Sequence, residues 1–166
     1  MGSFNEGKEE AIRWIKDNFN EGDTCLDVGA CNGKWADLLG GYLTIDGIEV
    51  YRPYIERYNI IDKYRSLFNR DIREFEYEHY DLIIFGDVLE HMSTKDAQKV
   101  IKYADSRCKN MIVAVPYEYP QGAKRGNPYE VHIQDDLTPE IFDKRYPGFA
   151  CIYHTDNYAY YVKERP

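Results

Sequence analysis

The stretch DVGACNG, Asp27 to Gly33, sets a carboxylate two residues before one glycine and six before another. Glycine enters backbone angles that other residues avoid, so Gly29 and Gly33 allow a tight turn whose main chain a ligand can approach. The residues that follow, KWADLL, read as the first turns of a helix whose free N–H groups would face such a ligand. A second carboxylate, Glu49, closes the next apolar run 22 positions after Asp27. An acid at that spacing is suited to gripping ribose hydroxyls. Two histidines, His91 in GDVLEHM and His132 in NPYEVHI, are placed to accept a proton near neutral pH.

Two glycines alone are equally compatible with an empty turn, and Asp27 narrows the reading. A carboxylate at the mouth of the loop would repel a pyrophosphate and attract the ammonium of an aminoacyl group. This favours S-adenosylmethionine over NAD or ATP. A phosphate loop of the Walker type is excluded, because Trp35 stands where Ser or Thr would hold magnesium. No metal site is expected. Asp87, Glu90 and His91 share one stretch, but the inverted zinc-protease motif needs histidine at position 87, and Glu90 is expected in solvent or bonded to a helix start.

The elements that would position these residues alternate. A helix is expected over about residues 6–20, with Ile12, Ile15 and Phe19 on one face. Strand-like runs cover 24–30, 42–50, 64–72, 80–88 and 110–117, and helical patterns cover 33–39, 53–61 and 93–108. Ser93 and Asp96 form an approximate capping pair, and His91 falls at the start of that helix. Thr138-Pro139-Glu140 opens a short helix, and FACIYHTDNYAYYVKE reads as a hairpin around Asp156-Asn157. The expected fold is a three-layer α/β/α sandwich around a doubly wound, mostly parallel seven-stranded sheet with an antiparallel C-terminal hairpin strand.

The 166 residues fit one domain, and a formal charge of -8 argues against a broad nucleic-acid surface. No run approaches the roughly eighteen apolar residues of a membrane span. The polar start MGSFNEGKEE lacks a secretory or lipidation pattern, so a cytoplasmic location is expected. Cys25, Cys31, Cys108 and Cys151 show no metal spacing and fit reduced thiols.

In four ordered motifs the sequence resembles the class I, Rossmann-like S-adenosylmethionine-dependent methyltransferases: DVGACNG, GIEVYRPY, NRDIREF and YDLIIFGDVLEHM. Cys31 departs from the pattern, standing where the family's loop has its middle glycine. The resemblance implies that Asp27, Gly29, Ala30, Cys31 and Gly33 surround the methionine part of the cofactor, and that Glu49 holds its ribose. Val50, Asp71 and Ile72 would meet adenine, while Phe85 and Gly86 would close the site. It implies methyl transfer to an O or N atom of a small molecule, a sugar or other metabolite being favoured, with S-adenosylhomocysteine as product. His132 or His91 would serve as base if the acceptor arrives protonated. The segment 116–137, long and without period, is expected to form a loop over the acceptor, and a homodimer or partner would complete that pocket. A noncatalytic cofactor-binding subunit and an NAD-dependent enzyme stay open as alternatives.

Overall fold

A computed structural model describes residues 6–164; the first five residues of the polar N-terminal stretch and the last two of the chain lie outside the described residues. The strands are β1 (Thr24–Val28), β2 (Thr44–Ile48), β3 (Leu67–Phe68), β4 (Tyr80–Gly86), β5 (Cys108–Pro116), β6 (Ala150–His154) and β7 (Tyr158–Glu164). They form one seven-stranded sheet in the order β3-β2-β1-β4-β5-β7-β6. Parallel pairing joins β3 through β5, and β7 enters antiparallel between β5 and β6.

Strand alternation sends successive side chains to opposite faces, and each face buries its own core. On one face Leu26, Ile83, Phe85 and Val113 pack with Ala97, Val100, Ile101 and Ala104 of α4 (Thr94–Arg107) and Phe142 of α5 (Pro139–Arg145). On the other, Cys25, Leu82, Ile84 and Ile112 meet Ala11 and Ile15 of α1 (Lys8–Asn18) and Trp35, Ala36 and Leu39 of α2 (Lys34–Leu39). Helices on both faces of a mostly parallel sheet are the expected sandwich. Local chemistry sets the helix ends. Ser93 Oγ accepts the Asp96 N–H at 3.1 Å and donates to its carboxylate at 2.8 Å. Thr138 Oγ1 accepts from Ile141 N–H ahead of α5, with Pro139 in the first turn.

The third strand departs from expectation. Of 64–72 only Leu67–Phe68 is strand, and it ends where the Asn69 side-chain amide turns inward to donate to the carbonyls of Glu49 and Val50, at 2.7 and 3.1 Å. The helix expected over 53–61 is α3 (Arg52–Tyr58), stopped by Asn59 in the left-handed region at φ 46. Among the described residues no helix is long and apolar enough to cross a membrane.

Phe142 has no exposed surface and stacks on Tyr161 of β7 with ring centroids 3.8 Å apart. Replacing Phe142 with Ala therefore removes about 3–5 kcal/mol of stability, read as a fall in the urea midpoint at unchanged slope.

Candidate active site

The strand order reverses between β1 and β4, so the chain leaves their carboxyl ends toward opposite faces and a crevice opens between. A cavity of about 430 Å3 lies there, floored by the strand ends Val28, Ile48, Gly86 and Pro116. That volume falls within the range of small-molecule sites.

The loop after β1 curls through three left-handed residues, Gly29 at φ 76, Cys31 at φ 46 and Gly33 at φ 75. A Cβ added to Gly29 would lie 2.7 Å from Val88 Cγ2, so bare backbone is required at that point. Cys31 holds a conformation that costs a non-glycine residue about 1–3 kcal/mol. Glu49 holds it in place: Oε2 accepts the Cys31 N–H at 2.8 Å, and Oε1 accepts the Tyr51 N–H at 2.7 Å. Burial raises the Glu49 pKa, and those two N–H groups pull it back. Burial pushes the Cys31 thiol up to about 12, which removes it as a nucleophile at neutral pH.

Gly29, Ala30 and Cys31 line the cavity, as do Glu49, Val50, Asp71, Ile72 and Gly86. Three residues proposed for the cofactor are not on its wall. Phe85 is fully buried in the core that α4 covers, because it faces the opposite way from Gly86. Gly33 turns toward Lys63, whose Cδ would be 2.6 Å from an added Cβ. Asp27 is 1% exposed and sits beneath the loop instead of at its mouth, with Tyr64 Oη donating to its Oδ2 at 2.6 Å. Asp71 is on the wall, and the Arg73 guanidinium and backbone N–H bind its carboxylate. Burial opposes that pull, and its pKa still ends below the usual value.

His91 and His132 come together although 41 positions separate them: their rings meet edge to face with centroids 4.8 Å apart. The Glu90 carbonyl makes the junction, accepting the N–H groups of Ile133 and Gln134 at 2.8 and 3.0 Å, while Gln134 Nε2 donates to Leu89 O. His91 ends a 3-10 turn, Leu89–His91, and does not start α4. Burial lowers its pKa to about 4, with His132 adding to the effect, and burial lowers His132 as well, so both rings are neutral at pH 7. Sequence reasoning missed Glu90. Expected in solvent or bonded to a helix start, it is 1% exposed and on the cavity wall. It also missed Tyr54 of α3, whose hydroxyl donates to Glu130 at 3.0 Å and ties the long loop to the cofactor side. Tyr51, Tyr54 and Tyr58 at helical spacing were the available signal.

The methyltransferase domain family matches residues 4–133, most of the chain and every residue of this cavity wall. The chain belongs to that family. The fold of this methyltransferase domain is shared with solved structures at low identity. An S-adenosylmethionine-dependent methyltransferase from Clostridium acetobutylicum is 11% identical, with a TM-score of 0.72 over 94% of this chain and 89% of that one. The N-methyltransferase NodS from Bradyrhizobium japonicum is 12% identical, with a TM-score of 0.67 over 96% and 93%. Magnesium protoporphyrin IX methyltransferase from Synechocystis, with SAH bound, is 16% identical, with a TM-score of 0.65 over 95% and 81%. Comparison with curated protein sequences gives no match.

Burial pushes the Asp27 carboxyl of the methyltransferase domain up to about 7, against the pull of the Tyr64 hydroxyl. Unfolded, the same group ionises near 3.9. Between those values the folded state holds a proton that the unfolded state has lost, so this group makes stability fall as pH rises from about 4 to about 7 and then level off. Asp27→Asn abolishes that part of the decline. Urea midpoints of the two proteins should differ more at pH 8 than at pH 5, in favour of the variant.

Proposed function

We propose that this protein transfers a methyl group from S-adenosylmethionine to an O or N atom of a small molecule, a sugar or other metabolite, and releases S-adenosylhomocysteine. The observation that carries the reading is the cradle made by the left-handed loop and Glu49 at the sheet's switch point. Its parts fit the cofactor. Each Glu49 oxygen accepts one loop N–H and keeps a lone pair for a ribose hydroxyl. Val50 and Ile72 give an apolar slot for adenine, and Asp71 offers an acceptor for its amino group. Gly29, Ala30 and Cys31 leave room for the methionine part, and Gly86 closes the site from β4. Solved structures of the magnesium protoporphyrin IX methyltransferase with bound SAM and with bound SAH share the fold, which supports the same cofactor.

When bound, S-adenosylmethionine supplies a methyl on a sulfonium whose leaving group is neutral, so alignment of the acceptor does most of the work. The residues here supply that alignment. Tyr119, His91 and His132 stand at the far end of the cavity and are the groups assigned to the acceptor. Both histidines are neutral and can take a hydrogen bond or a proton from an acceptor hydroxyl or amine.

Calorimetric titration with S-adenosylmethionine, S-adenosylhomocysteine and NAD tests this. The first two should bind and NAD should not; binding of NAD alone overturns the reading. Glu49→Ala should weaken S-adenosylhomocysteine roughly tenfold or more, since hydrogen bonds to a charged group contribute about 1.5–3 kcal/mol.

A further inference from the structure

At the acceptor end three side chains that each offer a lone pair converge. Glu90, His91 and His132 bring one ligand atom apiece to within 4.8 Å of one another. Main-chain carbonyls fix both rings. Val131 O lies 3.2 Å from Nδ1 of His91, and Tyr119 O lies 2.6 Å from Nδ1 of His132. A carbonyl oxygen only accepts, so each Nδ1 carries the proton and each Nε2 keeps its lone pair. Metal-binding histidines are oriented in this way, one ring nitrogen donating to a carbonyl and the other left for the ion.

Glu90 adds an independent observation. It is 1% exposed, lies on the cavity wall, and takes no hydrogen bond from any other residue on either carboxylate oxygen. Buried carboxylates are ordinarily paired, hydrogen-bonded or bound to a metal. No Lys or Arg forms an ion pair with it among the described residues.

We infer that Glu90, His91 and His132 bind one divalent first-row transition ion, of the Mn2+, Co2+ or Zn2+ class, at the acceptor end of the cavity. Two imidazoles and a carboxylate suit these ions better than Mg2+ or Ca2+, which take oxygen ligands. Three protein ligands leave coordination positions open, the arrangement of catalytic and not of structural sites. Bonds of about 2.0–2.2 Å keep any two ligands within about 4.4 Å, so the widest pair closes by roughly half an ångström, a small side-chain rotation. The open positions fit an oxygen of the acceptor. A hydroxyl bound there loses its proton to water more readily, which narrows the acceptor to an alcohol or phenol. That last step rests on the methyl-transfer reading; the ion site does not.

The test uses chelator-treated full chain carrying Cys151→Ser, which removes the exposed thiol as a stray ligand, without added cofactor. Co2+ is titrated by visible absorption and calorimetry, and Mn2+ by electron paramagnetic resonance. One ion per chain is expected, and Glu90→Gln and His132→Ala should each weaken it at least tenfold. S-adenosylhomocysteine affinity, measured separately, should stay within twofold in both variants. His132 lies on a half-exposed loop, so His132→Ala keeps the test sound even if Glu90→Gln disturbs folding. Absence of binding, or equal binding by His132→Ala, overturns the ion site. Loss of S-adenosylhomocysteine binding with the ion still bound would instead overturn the proposed methyl transfer.

Discussion

Parallel strands must be joined by crossovers, crossovers are right-handed, and the rest of this molecule follows from that constraint. With β1 and β4 adjacent at the centre, the chain leaving β1 covers one face and the chain leaving β4 covers the other. The two crossovers diverge and leave the space above those carboxyl ends open, walled on one side by the long segment after β5. The cavity is therefore a consequence of topology, and the residues just beyond the strand ends become its wall. Glu49 follows β2, Gly86 ends β4 and Asp87 follows it at φ 57, so position relative to a strand end decides which side chains reach a ligand.

A crevice made in this way exposes loop backbone, and the chain satisfies it with a few buried polar groups. Glu49 reaches from the end of β2 to the loop after β1, which binds two turns into one surface. Tyr54 performs the corresponding task on the other side, linking α3 to Glu130, while Tyr51 Oη donates to Gly126 O at 3.3 Å. The long segment after β5 is thus docked on the helix that follows the ribose-side strand. Its irregularity is local; its main-chain groups are paired, as His132 N–H to Gln121 O and Glu118 N–H to Leu137 O show. A loop held on both sides, with only a 3-10 turn at Pro128–Glu130 of its own, can keep His132 in register with His91.

Much of this was legible in the sequence. Period-two and period-3.6 patterns placed the sheet, the capping pair at Ser93 and the terminal hairpin, because those elements follow from local propensity and amphipathicity. The misplaced residues share a cause. Asp27 is expected at the loop mouth and Phe85 at the site from their places within the motifs, but within a strand the face is set by alternation. Asp27 shares a face with Cys25, and Phe85 shares one with Ile83. The carboxylate then falls beneath the loop, where burial raises its pKa. Leu67–Phe68 was overextended because the Asn69 bonds to Glu49 and Val50 carbonyls are side-chain contacts that no propensity encodes. The meeting of Glu90 with His132 is purely tertiary, made by the Ile133 and Gln134 N–H groups.

The cavity wall also separates acids that hold the fold from one that does not. Glu49 takes two backbone N–H groups, Glu130 takes the Tyr54 hydroxyl and the Gln121 amide, and Asp71 takes Arg73. Each of these has donors supplied by the protein itself. Leaving a buried polar group without one costs about 1–3 kcal/mol, more for a charge. Around Glu90 the chain has packed Leu89 and Met92 and spent the nearby amides, those of Ile133 and Gln134, on its backbone carbonyl. The Ile133 and Gln134 amides are committed to that carbonyl, and each neighbouring histidine turns its Nδ1 to a main-chain carbonyl, which leaves Nε2 with its lone pair. Three groups that can each present a lone pair are gathered in one space, and without a cation there burial and Asp87 hold the Glu90 carboxyl toward its protonated form, its pKa raised well above the usual range.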